Sequence, residues 1–203
     1  MEETVRKVTI GKWIGEGWRM VKDDIWNFVL LTLIYLLIMV AASFTYIGSL
    51  IVGGPLMCSY YYIIFQKMRG EKINIGDLGK GFSFFVHALL AYLLISAFTV
   101  IGLILCIIPG IVVGAMYIFA YPLIIEKGLS FWDAMEESRK IIWPNIVWFI
   151  LFMIVCGLIC LLGVLLCGVG ALVTTPIMFC ATACAYRDWV GLPAENTFSV
   201  NGK

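Results

Sequence analysis

Polar and apolar positions in this chain are segregated into long blocks. Between Ile25 and Phe65, between Gly81 and Ile125, and between Ile141 and Tyr186 there is no Asp, Glu, Lys or Arg. A helix needs about 20 apolar residues to cross the hydrocarbon core of a bilayer, and each block is roughly twice that length. Each block therefore predicts two spans joined by a turn. Helix breakers fall where the turns belong: Gly48, Gly53, Gly54 and Pro55 in the first block, Pro109 and Gly110 in the second, Gly168 and Gly170 in the third. Glycine frees the backbone and proline removes a donor, so both interrupt helices. The expected fold is all-α and integral to the membrane, with six transmembrane helices arranged as three helical hairpins.

The hairpins read as copies of one unit. Just inside the first helix of each stands one polar residue in an apolar run: Asn27, His87 and Asn145. An acid precedes each by about one interfacial helix: Glu16, Asp77 and Asp133. Each unit then closes on a glycine, at Gly70, Gly128 and Gly191, which sets repeats of about 9–70, 71–128 and 129–191 within a single membrane domain, 1–191, followed by a polar tail, 192–203. Units of two spans enter from the same side, so the hairpins are parallel and a pseudo-threefold bundle is expected.

Second helices carry small residues one turn apart: Gly54 with Cys58, Gly110 with Gly114, Gly170 with Thr174. Lipid is as apolar as leucine, so close backbone packing must supply helix association, and these faces are expected on the bundle interior. Pro122 and Pro176 should kink their helices.

Charge adds an orientation. The 14 Lys and Arg residues all lie before the first block, between blocks, or after the last. Cytoplasmic loops carry the Lys and Arg excess, which places both ends and the inter-hairpin segments on the cytoplasmic side of the cell membrane. Trp13, Trp18, Trp26, Trp132, Trp143 and Trp189 fall at that same inner boundary, where an amphipathic ring is at home. Ile10, Trp13, Ile14, Trp18, Val21 and Ile25 recur near helical spacing, which predicts an interfacial helix lying in the membrane plane. Before the third hairpin, Ser130 and Asp133 form a capping-box-like start and Glu136 can pair with Lys140; that segment reads equally as an interfacial helix or a solvated linker helix.

Composition agrees: of 203 residues, 62% are hydrophobic and 13% charged, which excludes a soluble domain. The N-terminus lacks the apolar core and cleavage site of a removable signal peptide. A net charge of +1 with no basic strip gives no case for nucleic acid.

Candidate chemistry is sparse. There is no GxSxG elbow, no HExxH zinc pair and no phosphate-cradling loop. The acid pairs Glu2/Glu3, Asp23/Asp24 and Glu136/Glu137 lie on the water side. Seven cysteines lack His or acidic partners for a metal and read as packing residues, with a Cys106–Cys167 disulfide left open. No cofactor is implied. Asn27, His87 and Asn145 form a candidate polar ring, which could meet a headgroup or substrate; alternatively each bonds a neighbouring carbonyl. The Tyr60-Tyr61-Tyr62 run, with Tyr35, Tyr92 and Tyr121, either lines a cavity or packs.

The order IGEGW, GGPLMCSYYY, IGDLGKGF, LCIIPGI, YPLIIEKGLSFWDAMEESRK, CGVGALVTTP and ACAYRDW resembles a widespread group of uncharacterised microbial multi-pass proteins. It is similar also to the membrane domain that precedes the hydrolase domain in some glycerophosphodiester phosphodiesterases. The resemblance implies a fold and, loosely, a lipid-facing accessory role. It carries over no catalytic residue, because that chemistry belongs to a separate soluble domain. The leading expectation is a non-enzymatic module that binds membrane lipids or a protein partner, or self-associates. The rival is a transporter or channel for a neutral or amphiphilic small molecule.

Overall fold

A computed structural model describes residues 9–105, 107–165 and 170–191. All regular elements among them are helical: α1 (Ile10–Asp23), α2 (Ile25–Ser43), α3 (Tyr46–Met68), a 3-10 helix (Ile75–Phe84), α4 (Phe85–Leu105), α5 (Ile107–Met116), α6 (Ala120–Lys127), α7 (Phe131–Ile142), a 3-10 turn (Trp143–Asn145), α8 (Ile146–Leu165) and α9 (Ala171–Trp189). Cys106, Cys167 and Gly168 lie outside the described residues, and with them the Cys106–Cys167 pairing.

Five stretches are long and apolar enough to cross a membrane: Ile25–Ser43, Gly48–Met68, Ile75–Ile104, Ile108–Lys127 and Phe131–Leu165. The chain is a membrane protein. Helix α9 is not among the five; it has 19 residues but includes Thr174, Thr175 and Pro176 and ends in Arg187 and Asp188.

Burial divides the long helices into two classes. Helices α2, α4 and α8 turn large apolar side chains outward, among them Leu37, Val40, Val86, Ile101, Val147 and Leu158. By contrast α9 buries every residue from Ile177 to Tyr186 except Met178, and α6 buries Ala120 through Glu126. Neighbouring helices meet in the order α2, α3, α4, α5, α8, α9 and back to α2, while α3 also touches α6 and α9.

The interior is filled with aromatic rings. Tyr60 stacks on Phe179 with centroids 4.5 Å apart, Tyr35 meets Tyr60 edge-on at 5.6 Å, and Tyr61 meets Phe179 at 5.2 Å. Towards the charged end Phe65 and Phe119 each lie 5.5 Å from Tyr186. Thr32 donates to the Phe28 carbonyl at 2.7 Å and shares a hydrogen bond with the Tyr60 hydroxyl. Tyr60 and Tyr61 therefore pack, as large rings buried with a partner for the polar tip do.

Each short helix seats on the second helix of another hairpin: α1 on α9, the 3-10 helix on α3, α7 on α6. A small residue makes each contact close. A methyl group on Gly17 would fall 2.8 Å from the Ala181 amide nitrogen and 3.1 Å from the Ile177 carbonyl oxygen. One on Gly81 would collide with the Pro55 carbonyl and with the amide and hydroxyl of Ser59. Ser138 is fully buried and donates to the Met116 carbonyl at 2.8 Å. Its oxygen accepts from the Phe119 amide at 3.3 Å.

That third contact falls at a gap in the helix. Pro122 has no N–H and its ring crowds the carbonyl four residues back, at Ile118. The chain opens there, between the end of α5 at Met116 and the start of α6 at Ala120. Ser138 supplies a donor and an acceptor to backbone groups exposed by the opening. Helices α3 and α9 run through Pro55 and Pro176 without a comparable gap. Left-handed glycines end the hairpins, at Gly70 (φ 87°), Gly128 (φ 61°) and Gly191 (φ 112°), the conformation a side chain resists.

Candidate functional site

Ionic groups collect at one end of the helices, where α1 lies across α9. Trp13, Gly17 and Val21 recur every fourth residue, so one stripe of α1 faces α9 and is buried. Trp13 is fully buried among protein side chains and not at a lipid boundary, which corrects its expected interfacial position; its ring stacks at 6.0 Å on Phe149 and meets Phe152 edge-on at 5.5 Å. Its indole Nε1–H donates to Asp188 Oδ2 at 3.0 Å, and Lys12 Nζ donates to the same oxygen at 3.0 Å. Arg187 bridges Glu16 Oε2 at 2.5 Å and Asp188 Oδ1 at 2.8 Å. The hydrogen bond to Asp188 holds the Lys12 ammonium above its usual pKa. By contrast Trp18 and Trp26 are exposed, in keeping with an interfacial place.

A second tie joins α2 to α3. Lys67 donates to Asp24 Oδ2 at 2.8 Å, and this bond holds the Asp24 carboxyl below its ordinary pKa despite partial burial. Asn27 donates to Asp24 Oδ1 at 2.7 Å. A third, looser pair at 3.6 Å joins Lys127 of α6 to Glu137 of α7. The Ser130 hydroxyl accepts from the Asp133 amide at 3.3 Å, and Glu136 lies 3.6 Å from Lys140, as the sequence of α7 indicated.

A cleft of about 320 Å³ opens between α1 and the ends of α3 and α9. Glu16, Arg19 and Asp23 come from α1, Lys67 from α3 and Arg187 from α9, over a floor of Met20, Met68 and Cys184. Glu16, Lys67 and Arg187 are committed to the ion pairs above. Among the described residues Arg19 and Asp23, one helical turn apart on the same face, have no hydrogen-bond or ion-pair partner.

The candidate polar ring is not joined up. Asn27 is occupied with Asp24, Nδ1 of His87 is buried without a hydrogen-bond partner, and no hydrogen bond connects Asn27, His87 and Asn145. These residues open α2, α4 and α8, which are separated by second helices. The small-residue faces also meet first helices and not one another. A methyl on Gly54 would strike the Ala88 carbonyl of α4. One on Gly110 would fall 2.6 Å from Leu103, and one on Gly170 2.5 Å from the Gly163 carbonyl oxygen. Gly114 faces Met153, Thr174 abuts Gly163, and Cys58 is fully buried.

A buried acid sits where the central helices converge. The Tyr186 hydroxyl donates to Glu126, tying α6 to α9, and Gln66 of α3 is buried with its Oε1 unpaired. The sequence signal for Glu126 was weak, since it stands one residue past an uncharged block and reads as a loop charge. Among the described residues no cluster of His, Cys, Asp or Glu is fit to hold a metal ion, and Cys58, Cys156, Cys160, Cys180 and Cys184 are free thiols.

The chain is 33% identical over 99 residues to an uncharacterized protein from Mycobacterium bovis. Uncharacterized proteins from two strains of Mycobacterium tuberculosis match with the same identity and extent. The match takes in 49% of this chain and 30% of each relative, so the chain spans well under half the length of the curated relatives it matches. No family model and no solved structure matches the chain.

Proposed function

We propose that this chain is a non-enzymatic membrane module of the cell membrane that binds phospholipid at its charged end. In this reading α9 is a sixth span, the three hairpins are parallel pseudo-threefold copies, and both termini face the cytoplasm. The contact that carries the reading is the seating of each short helix on another hairpin, with α1 on α9 closing the circle. That arrangement makes a solid body with a charged rim, and leaves α2, α4 and α8 as the lipid-facing surface. Lys and Arg at the rim support the orientation by the positive-inside rule. The likeness to membrane domains that accompany a phosphodiesterase, and a match to part of longer mycobacterial proteins, accord with a module role.

A passage for small molecules fits less well, because Tyr60, Phe65, Phe119, Phe179 and Tyr186 fill the space between the second helices. The test is purification in a mild detergent with mass analysis of what co-purifies. Reproducible retention of phospholipid is the expected result; a preparation that retains neither lipid nor a protein partner overturns the proposal, and solute flux in reconstituted liposomes would favour the passage.

A further inference from the structure

We propose that the cleft between α1, α3 and α9 is a site for a headgroup bearing both a phosphate and a primary ammonium, that is, phosphoethanolamine on a phospholipid. The inference deepens the lipid-binding reading and rests on it.

The cleft has room for a small headgroup and an unusual charge balance. Most of its ionic groups neutralise one another: Arg187 with Glu16, and Lys67 with Asp24 just outside the lining. Arg19 and Asp23 remain, one of each sign, without a partner among the described residues. Residues four apart on a helix lie side by side, yet here the guanidinium and the carboxylate do not pair. Two opposite charges, exposed and unpaired with each other on one wall, match a ligand whose own opposite charges are two methylenes apart. The guanidinium presents a planar fork of donors suited to phosphate oxygens, with the Lys67 and Arg187 cations nearby to add attraction. The Asp23 carboxylate only accepts, and a primary ammonium has three N–H groups to offer it.

A purely anionic headgroup would satisfy Arg19 and leave Asp23 repelling it. A quaternary ammonium would carry the right charge with no N–H to donate. Met20, Met68 and Cys184 line the floor with apolar and soft surface against the start of the acyl region. Exposed Trp18 and Trp26, flanking the same part of α1 and α2, place this rim at the membrane boundary where headgroups lie.

The test is competition on the full chain, stripped of lipid in detergent and offered equal amounts of phosphatidylethanolamine, phosphatidylglycerol and phosphatidylcholine, read by native mass spectrometry. Phosphatidylethanolamine is expected to bind in preference to both others. Arg19→Ala should lower its affinity about ten-fold. Asp23→Ala should erase the preference over phosphatidylglycerol while leaving phosphatidylglycerol bound. Lys22→Ala, on α1 but outside the cleft lining, should change neither. Soluble phosphoethanolamine should compete better than inorganic phosphate; equal competition overturns the two-charge site. Phospholipid retained without preference, or unmoved by both cleft variants, overturns this inference and leaves the lipid-binding module standing. A chain that retains no phospholipid at all overturns both.

Discussion

At the scale of single residues, two glycines in one short helix separate packing from composition. Gly81 and Gly79 both belong to the 3-10 helix, but a methyl on Gly81 would collide with the α3 backbone whereas one on Gly79 meets nothing within 4 Å. Backbone atoms cannot rotate aside, so Gly81→Ala must lift the helix off α3. Overpacking of this kind costs about 1–3 kcal/mol. Gly81→Ala should accordingly lower the melting temperature in detergent, with Gly79→Ala close to wild type; equal melting of the two would mean that the contact is not a close one. Asp24 offers a pH test. Its folded carboxyl titrates below the unfolded value of about 3.9, mainly because Lys67 donates to it. The sign follows by linkage: the tie contributes fully above the unfolded pKa and is lost as pH falls through the lower folded one. From pH 8 to 5 this pair should contribute its full stabilisation with no pH dependence, and Asp24→Asn should remove a part of the destabilisation seen on going below about pH 4.

At the scale of elements, the break between α5 and α6 shows how a buried hydroxyl takes the place of a helical turn. Ser138 reaches the Met116 carbonyl and the Phe119 amide from another helix. Ser138→Ala keeps the small volume and removes the hydroxyl, leaving those groups unpaired at a cost of about 1–3 kcal/mol. Hydrogen exchange should speed up at Phe119 in that variant, more than at Phe65 in the unbroken α3; unchanged protection at Phe119 would deny the hydroxyl its role. The position of this break could be read from Pro122, because proline acts on its own chain through a local clash. Ser138 could not be singled out, because its partner atoms belong to a helix that only the fold brings near. The same limit explains Trp13. Its spacing with Ile10, Ile14 and Val21 correctly marked an amphipathic helix, but periodicity reports that a stripe is apolar and not whether lipid or protein covers it. The small-residue pairs could likewise be picked out along the chain, while the identity of the helix each one meets could not.

At the scale of the whole molecule, the question is why α9, a long helix with no exposed residue, is the one whose sequence looks least like a membrane span. A helix facing lipid must be apolar on its outer side, and α8 shows this with Val147, Leu151, Ile154, Leu158 and Leu161 all exposed. A helix surrounded by protein is released from that demand and selected for fit, which favours small residues such as the Ala181, Thr182, Ala183, Cys184, Ala185 run. Thr182 settles its hydroxyl on the Met178 carbonyl at 2.9 Å, so polarity there costs little. In the proposed six-span arrangement, low hydropathy in α9 is thus the expected mark of a central span, which hydropathy alone would leave uncounted. The reading makes a direct prediction for the protein in a bilayer. A phospholipid with a photoreactive group on its acyl chain should label α2, α4 and α8, and leave residues 177–186 of α9 unlabelled, although the proposed sixth span puts them at membrane depth. Cysteine accessibility checks the enclosure, since the native thiol Cys180 should resist both aqueous and lipid-soluble maleimides until the protein is unfolded. Labelling of α9 by the lipid probe at the level of α8 would place it on the outside and break the closed circle; ready reaction of Cys180 with the aqueous reagent would take it out of the membrane.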